Sequence, residues 1–592
     1  VMLLHRLAEY GRDSADVLPP FHARKPVRFV LDLDAAGVPA EELTPLADPS
    51  GARQRTGVPF VVPSITRTSG VAPMLAVDNP EYLFGWVAED ARPEWVAKQH
   101  HAFRDLIAHW EQQAGDDPAA RAVARFYRDG HVACVRKPPD GWGRKDLVAF
   151  RVDGAMAFRS PSVRAVWSGV ALGRKALDRN GMCLVCGRIA TLLKTIPSQI
   201  PRRLVPGATQ NASLVSVNEP THGYELVTSL TNTPICVDCG LMVMQALTSL
   251  AGDPEHSMAL AKQHSRIIWW TDSADEINVV GTLDRPEAAE LQHLLSSPHT
   301  GQSHDPGDTA TFCALTIGGN VARVMVRDWV EHPLPDIRDH ARAWFDDLAI
   351  VGWDGQPAQP ERAVGLSQLV RCCGRWDRQK SSYVPIGDKG EDRPNGLYAT
   401  LLRAALFGTR IPPAFVAHLV RRVRLDGHLD PSRAALIRLA LRRHPTTSNP
   451  EVYMPARNPD HHDPAYLCGR VFAQLASLQW AAAKAHGEKL NTSFADRYFN
   501  RALTNPTITL RRGEQYASAW QKRLARKKPG LATFYAKTRG ELYHQIDQCP
   551  AEVPTRLLPK QQWEFILGYY HEQARANSST DRSTDTTDQE NT

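Results

Sequence analysis

Four cysteines stand at spacings that let two pairs of thiolates meet one metal ion. Cys183-Leu184-Val185-Cys186-Gly187 and Cys236-Val237-Asp238-Cys239-Gly240 are two CxxC-Gly knuckles separated by 49 residues. Zinc takes four soft ligands in a tetrahedron, and each CxxC turn can present two. The glycine after each pair permits the tight turn that a knuckle needs. The spacing therefore predicts a structural Zn2+ held by Cys183, Cys186, Cys236 and Cys239, with no coordination position left open for catalysis. The competing readings are buried free cysteines or a redox dithiol, and nothing else in the chain suggests a thioredoxin-like unit. Cys134, Cys313, Cys372, Cys373, Cys468 and Cys549 lack such pairing and are expected to pack in the interior.

No constellation of catalytic residues emerges. Neither a GxxxxGK[ST] phosphate loop nor an HExxH helix is present. Asp460-His461-His462-Asp463 could suggest a metal-dependent phosphohydrolase, but His444 and His486 lack an obvious Asp partner. Asp463 also has a simpler use as the cap of a helix opened by Pro464. The expectation is a protein that is not an enzyme, with no catalytic residues.

Basic residues crowd the last third of the chain. Arg421, Arg422 and Arg424 are followed by Arg433, Arg438, Arg442 and Arg443. The densest stretch contains Arg501, Arg511, Arg512, Lys522, Arg523, Arg526, Lys527 and Lys528, and then Lys537 and Arg539; Glu514 is the only acid between Arg501 and Lys537. Tyr498, Phe499, Tyr516, Trp520 and Phe534 interleave with them. Lys and Arg bind phosphates by releasing counterions, and aromatic rings stack on unpaired bases. A charge run is ordinarily a solvated helix face, but the single sign held over so long a stretch points to nucleic-acid contact.

These residues need elements to position them. Val27–Leu33, Leu147–Val152, Thr311–Ile317 and Val321–Val326 read as strands from their β-branched content and partial alternation. Beyond a Gly-, Asp-, Lys- and Pro-rich stretch the pattern becomes helical. Leu397, Leu401, Ala405 and Leu406 share a face, and Pro412-Pro413, Asp430-Pro431 and Asp463-Pro464 each read as a helix start. Trp563, Ile566, Leu567 and Tyr570 mark a last amphipathic helix. The predicted fold class is α+β: a mixed N-terminal region with a zinc-knuckle element, then an all-α C-terminal helical bundle. The expected boundaries are a mixed domain over 1–380 with the knuckles at about 180–240, a linker or loop over 381–395, a bundle over 396–575 and a disordered tail over 576–592.

Bulk properties agree with this organisation. A chain of 592 residues is too long for one core. Hydrophobic residues are 43% and charged residues 23%, an ordinary globular balance. The net charge of +6 does not by itself imply nucleic acid; the distribution of charge does. No apolar run reaches the roughly 18 residues that span a bilayer, and the start lacks the basic and long apolar regions of a secretory signal. Paired CxxC cysteines suit a reducing compartment, so a cytoplasmic location is expected.

Several stretches, in order along the chain, resemble the large subunit of the type I-C CRISPR Cascade complex, the Cas-eight family of subtype c. Met2-Leu3-Leu4-His5-Arg6-Leu7 with Pro19-Pro20-Phe21 is similar to the family's start. Arg67-Thr68-Ser69-Gly70-Val71-Ala72-Pro73, with Asp78-Asn79 and Tyr82-Leu83-Phe84-Gly85, resembles its RTSG…P…DN stretch. The segment Cys183–Gly187 looks like its knuckle. Gly207–Asn218, followed by Tyr224, resembles its GxQSSGxxLxSxN loop, with Asn211-Ala212 and Ser213 in place of the Ser-Ser-Gly run. Asn320, Arg323 and Trp329, the Tyr466–Phe472 segment, Arg497-Tyr498-Phe499, Asn505-Pro506 and the Phe565–His571 segment fit later motifs.

The resemblance implies a non-catalytic subunit in antiviral defence. Its implied partners are a guide crRNA, target double-stranded DNA with its displaced single strand, the other Cascade backbone subunits, a small subunit, and a helicase-nuclease recruited after target binding. Such subunits read a short protospacer-adjacent motif (PAM) and stabilise the R-loop, while base pairing supplies most specificity. Two loops have the small, amide and Arg residues that a groove or phosphate contact needs: Arg67, Thr68, Ser69 and Gly70, and Gly207, Gln210 and Asn211. The second could instead face the guide's handle. The family also makes its C-terminal part separately from an internal start, which implies Met454 as a start and about 454–575 as a small-subunit-like fragment. A metal-dependent nuclease and a stand-alone zinc-containing DNA-binding regulator are the alternatives.

Overall fold

The computed structural model describes residues 2–14, 18–46, 57–67, 70–138, 141–217, 219–223, 226–228, 230–260, 264–272, 278–291, 310–356 and 362–585. The chain divides into two compact units. The first holds Val1–Ala259, Ser265–Ile268 and Leu315–Trp329; the second holds Leu260–His264, Trp269–Ala314 and Val330–Thr592. The division thus falls within strands Ser257–Leu260, Ser265–Thr271 and Thr311–Pro333 rather than at 381–395. Among the described residues no helix is long and apolar enough to cross a membrane.

The first unit is built on strand His22–Leu33. This strand pairs antiparallel with Val58–Pro63 and parallel with Leu147–Val152, in a register that places Val30 beside Ala149 and Asp32 beside Arg151. A parallel pair needs a long crossover, and here it contains helices Pro93–Gln113 and Pro118–Arg128. Their apolar faces supply Phe103, Trp110 and Phe126, which join Val27, Leu31 and Phe150 in one core. Pro93 and Pro118 stand in the first turn of their helices, where the missing N–H costs nothing. Arg151 clamps Asp32 across the strands through two hydrogen bonds of 2.5 and 2.7 Å. That pairing holds the Asp32 carboxyl below its usual range.

Helices dominate the second unit, and the proline-marked starts fall where the sequence puts them. Asp430 caps Pro431–Arg442 by accepting from Arg433 N, and Asp463 caps Pro464–Lys484 by accepting from Ala465 N and Tyr466 N. Helix Pro464–Lys484 is buried on almost all sides for its first three turns. It crosses Pro559–Asp585 through two reciprocal glycines. A Cβ on Gly469 would overlap the Phe565 carbonyl, and one on Gly568 would overlap the Tyr466 carbonyl. Beside that crossing Arg470 and Gln474 donate to the buried carboxylate of Glu572 at 2.8 and 2.7 Å.

Three boundaries differ from the sequence expectation. Residues 381–395, expected as a linker or loop, form a folded loop inside the second unit. Its charges are used internally: Arg393 pairs with Glu391 at 2.7 Å and donates to the carbonyls of Val370 and Arg371. Thr311–Pro333 is one continuous strand where two were expected, with an irregularity in its pairing between Val321 and Arg323. The last helix continues to Asp585, past the expected end at Arg575, and 586–592 lie outside the described residues.

Candidate metal centre and nucleic-acid surface

The four predicted cysteines converge. Strands Ala176–Met182 and Ile189–Leu193 form a hairpin whose connection is the first knuckle. Gly187 takes φ of +70°, which lets its N–H donate to Cys183 O at 2.8 Å. Cys236 sits at the N-cap of helix Val237–Gly252, and Cys239 lies in its first turn. Leu184 N donates to Pro234 O at 2.9 Å, and Leu192 bridges to Cys236, so the hairpin and the helix start are tied by backbone. All four sulfurs lie within 4.8 Å of one another. A tetrahedron with Zn–S bonds of about 2.3 Å needs S···S spacings of roughly 3.8 Å, and Cys186 and Cys236 stand at 3.9 Å.

The surroundings suit thiolates held by a cation. Val185 N and Cys236 N donate to Cys183 Sγ at 3.4 and 3.2 Å, and Arg12 donates to Cys239 Sγ at 3.3 Å. Burial pushes the Cys186 thiol up, but hydrogen bonds from Arg188 and from Cys239 and Cys183 outweigh it and bring it to about 6. Burial and the neighbouring Cys236 and Cys183 push Cys239 well above the usual thiol range. Four adjacent thiols therefore do not all ionise unaided. A divalent cation removes that conflict, and Arg12 and Arg188 offset the residual negative charge.

Around Gly207, which takes φ of +88°, the chain turns into strand Ala208–Ser213. That strand lies parallel to the Leu315–Trp329 segment, with Ala208 beside Val321. Gly319 is required there, since any Cβ would overlap Ala208. Gln210 and Asn211 are exposed on the strand. Asn211 Oδ1 accepts from Arg202 N at 3.1 Å, which brings the exposed Arg202 next to that amide, with the exposed Arg203 following it in the chain. The sequence reading missed these arginines. The signal available was the Pro201-Arg202-Arg203 run shortly before the Gly-Ala-Thr-Gln-Asn segment.

The Arg67 side chain is engaged within its own unit. Its guanidinium bonds Asp78, donates through Nε to Ala72 O at 2.7 Å and lies 4.2 Å from the Tyr82 ring centre. Asp78 is wholly buried and also accepts from Met74 N and Asn79 N, both at 2.8 Å. Arg67 thus braces its own loop. Gly70 is exposed at φ of +95°, and Thr68 and Ser69 lie outside the described residues.

The C-terminal basic stretch forms helices Phe494–Ala502, Pro506–Ala525 and Pro529–Asp547. Arg501, Arg511, Arg512, Lys522, Arg526, Lys527 and Lys528 are exposed, whereas Arg523 is half-buried and paired with Glu488. Glu514, the one acid of the stretch, is taken by Arg539 at 3.3 Å and Tyr543 at 3.1 Å. Tyr498, Tyr516 and Trp520 make a ladder with ring centres 6.2 and 5.9 Å apart, and Arg512 lies over both tyrosines. The result is a cationic surface carrying an aromatic step.

No second metal cluster accompanies His461 and His462. Among the described residues the four cysteines are the one group of three or more ligands that can converge on an ion. His461 is instead buried, stacked on Tyr466 at 4.3 Å and 3.6 Å from Glu564.

Fold and site define a mixed α/β protein with a four-cysteine cluster in one unit and a cationic helical surface in the other. It matches the family model for CRISPR-associated protein (Cas_Csd1) over residues 4–576, and the chain belongs to that family. No curated protein matches it. Family membership gives the chain a role in CRISPR defence.

Proposed function

We propose that the chain is the non-catalytic large subunit of a type I-C Cascade, which binds guide RNA and target DNA, reads the protospacer-adjacent motif and steadies the displaced strand. The carrying observation is the exposed cationic surface on helices Phe494–Ala502 and Pro506–Ala525, where Glu514 is taken internally while Arg512, Tyr498 and Tyr516 stay available for a strand. Bases stack on such rings without sequence preference, which suits a displaced strand of any sequence. Motif reading is assigned to Gln210 and Asn211, two exposed amides on strand Ala208–Ser213 with the exposed Arg202 beside Asn211. Amides pair with base edges and arginines with phosphates or guanine. The four-cysteine site holds structural Zn2+. A separate helicase-nuclease performs cleavage.

The test is a reconstituted complex with guide RNA, assayed with and without this chain. Gln210→Ala combined with Asn211→Ala should weaken binding to motif-bearing duplex by about tenfold or more, with single-strand binding kept. Equal losses on both substrates would refute the assignment. Degradation of DNA by the purified chain with magnesium or manganese would instead establish a nuclease. A fragment beginning at Met454, sought by mass spectrometry of protein made from the native gene, tests the internal start; such a fragment would lack Arg438, which donates to Tyr453 O at 2.7 Å.

A further inference from the structure

A cavity of about 540 Å³ opens in the first unit, away from the thiolate cluster and from Gln210. Its walls come from strand Val58–Pro63, the short turn Ala157–Arg159 and the start of helix Pro161–Lys175. Phe60 and Phe158 meet edge to face at 5.6 Å, and the Arg159 guanidinium lies over the Phe60 ring at 5.3 Å. Arg164 and His22 line another part of the wall. Both arginines are exposed, and neither has a carboxylate partner among the described residues.

No acid lines the cavity. The nearest carboxylate bonded to this end of the helix is Asp117, which is occupied by the hydroxyls of Ser160 and Ser162 and by Ala119 N. His22 Nδ1 donates to Pro20 O at 2.8 Å, so Nε2 is left as an acceptor. Burial, and further the charge of Arg164, hold the His22 pKa below its ordinary value, so the positive charge here belongs to the arginines.

Protein pockets for single ligands run from about 300 to 1,000 Å³. Unpaired bases are held on aromatic rings and guanidinium planes, and their phosphates on Arg. We infer that this cavity holds one unpaired nucleotide, its base along the Phe60–Arg159 stack and its flanking phosphates on Arg159 and Arg164. The inference rests on the nucleic-acid reading above but names a separate site. Guide RNA and displaced DNA share this chemistry, so the experiment carries an arm for each.

The full chain is irradiated with a short RNA carrying 4-thiouridine, and separately with a short DNA carrying 4-thiothymidine. Labelled peptides are then mapped by mass spectrometry. Labelling of the 58–61 or 158–164 segment is expected, and the arm that gives it identifies the strand. Arg159→Ala with Arg164→Ala, both exposed positions, should reduce that label about tenfold while label on 498–528 persists. Circular dichroism of the variant confirms folding. Label confined to 498–528 overturns the pocket and leaves the wider reading standing. Label nowhere overturns both. Equal loss at both segments shows that the arginines act only as diffuse charge and also overturns the pocket.

Discussion

Substituting alanine for Gly469 tests how the second unit is held together. In most helix interiors Gly→Ala is stabilising, by roughly 1 kcal/mol of helix propensity. At Gly469 the new Cβ would fall closer than 3.0 Å to the carbonyl of Phe565 and at 2.9 Å from Tyr569 N, both backbone atoms of the partner helix. Backbone cannot rotate away as a side chain can, so the two helices must separate by roughly an ångström. Overpacking of this kind costs about 1–3 kcal/mol, occasionally more. The separation also stretches the Arg470–Glu572 and Gln474–Glu572 bonds, which are buried and cannot be replaced by water. After the propensity gain is subtracted, a net loss of about 2 kcal/mol remains.

Gly540, in helix Pro529–Asp547, supplies the control, because a Cβ there meets nothing within 4 Å. Gly540→Ala should stabilise by up to about 1 kcal/mol. With two units, a single melting curve does not isolate the crossing. Native-state hydrogen exchange of peptides from Pro464–Lys484 and Pro559–Asp585 does. Gly469→Ala should speed exchange in both helices by about thirtyfold, and Gly568→Ala should do the same, since its Cβ would overlap Tyr466 O. If Gly469→Ala slows exchange as Gly540→Ala does, the crossing is not backbone-limited and the reasoning fails.

Other perturbations follow from the same contacts. Arg67→Ala leaves the wholly buried Asp78 without its cation, which should destabilise the first unit by about 3 kcal/mol; denaturation with local exchange reads this, and unchanged stability with lost duplex binding would return Arg67 to a reading role. Purified protein should contain one zinc per chain by atomic absorption, and Cys239→Ser should abolish it and quicken exchange in 176–193 and 236–252, because a structural zinc site is worth on the order of 10 kcal/mol. In the bundle, burial raises the Glu564 carboxyl to about 8, and burial with His462 lowers His461 to about 4. The pair is thus a neutral acid facing a neutral imidazole. Glu564 contributes stability that is present at low pH and lost as pH rises through about 8; His461 contributes stability present above about 6.5 and lost as pH falls through about 4. The two slopes cancel between about pH 4.5 and 6.5, so bundle stability should be level there and fall from about 6.5 to about 8, and Glu564→Gln should remove that alkaline fall. An alkaline limb that survives Glu564→Gln would show that another group is responsible.

What could be read from the sequence was what local chemistry decides. The CxxC-Gly knuckles specify their own turns, and once two such pairs exist a single ion is the economical arrangement. Asp-Pro at 430–431 and 463–464 fixes a helix start within two residues, because the cap and the proline act on the backbone beside them. The opposite held at 381–395. Its Gly, Asp, Lys and Pro content leaves a linker or a loop open, and only the fold reveals that Arg393 donates to four carbonyls and to Glu391.

Arginine shows the limit most clearly, because its meaning depends on what lies across from it. Arg67 and Arg512 were both read from the sequence as nucleic-acid contacts, the first in a motif stretch and the second in the basic run. The first faces Asp78, buried among backbone amides, and its charge is spent inside the fold. The second faces only phenol groups at the surface, and its charge is available to a phosphate. Asp78 lies eleven positions after Arg67, within the same quoted stretch, so the acid that neutralises it was in view. What was missing was its burial, since a carboxylate with no water around it demands a partner and a solvated one does not. Counting basic residues therefore overstates a binding surface wherever a buried acid is near, and the surface that remains after pairing is the one that the proposed function should be tested on.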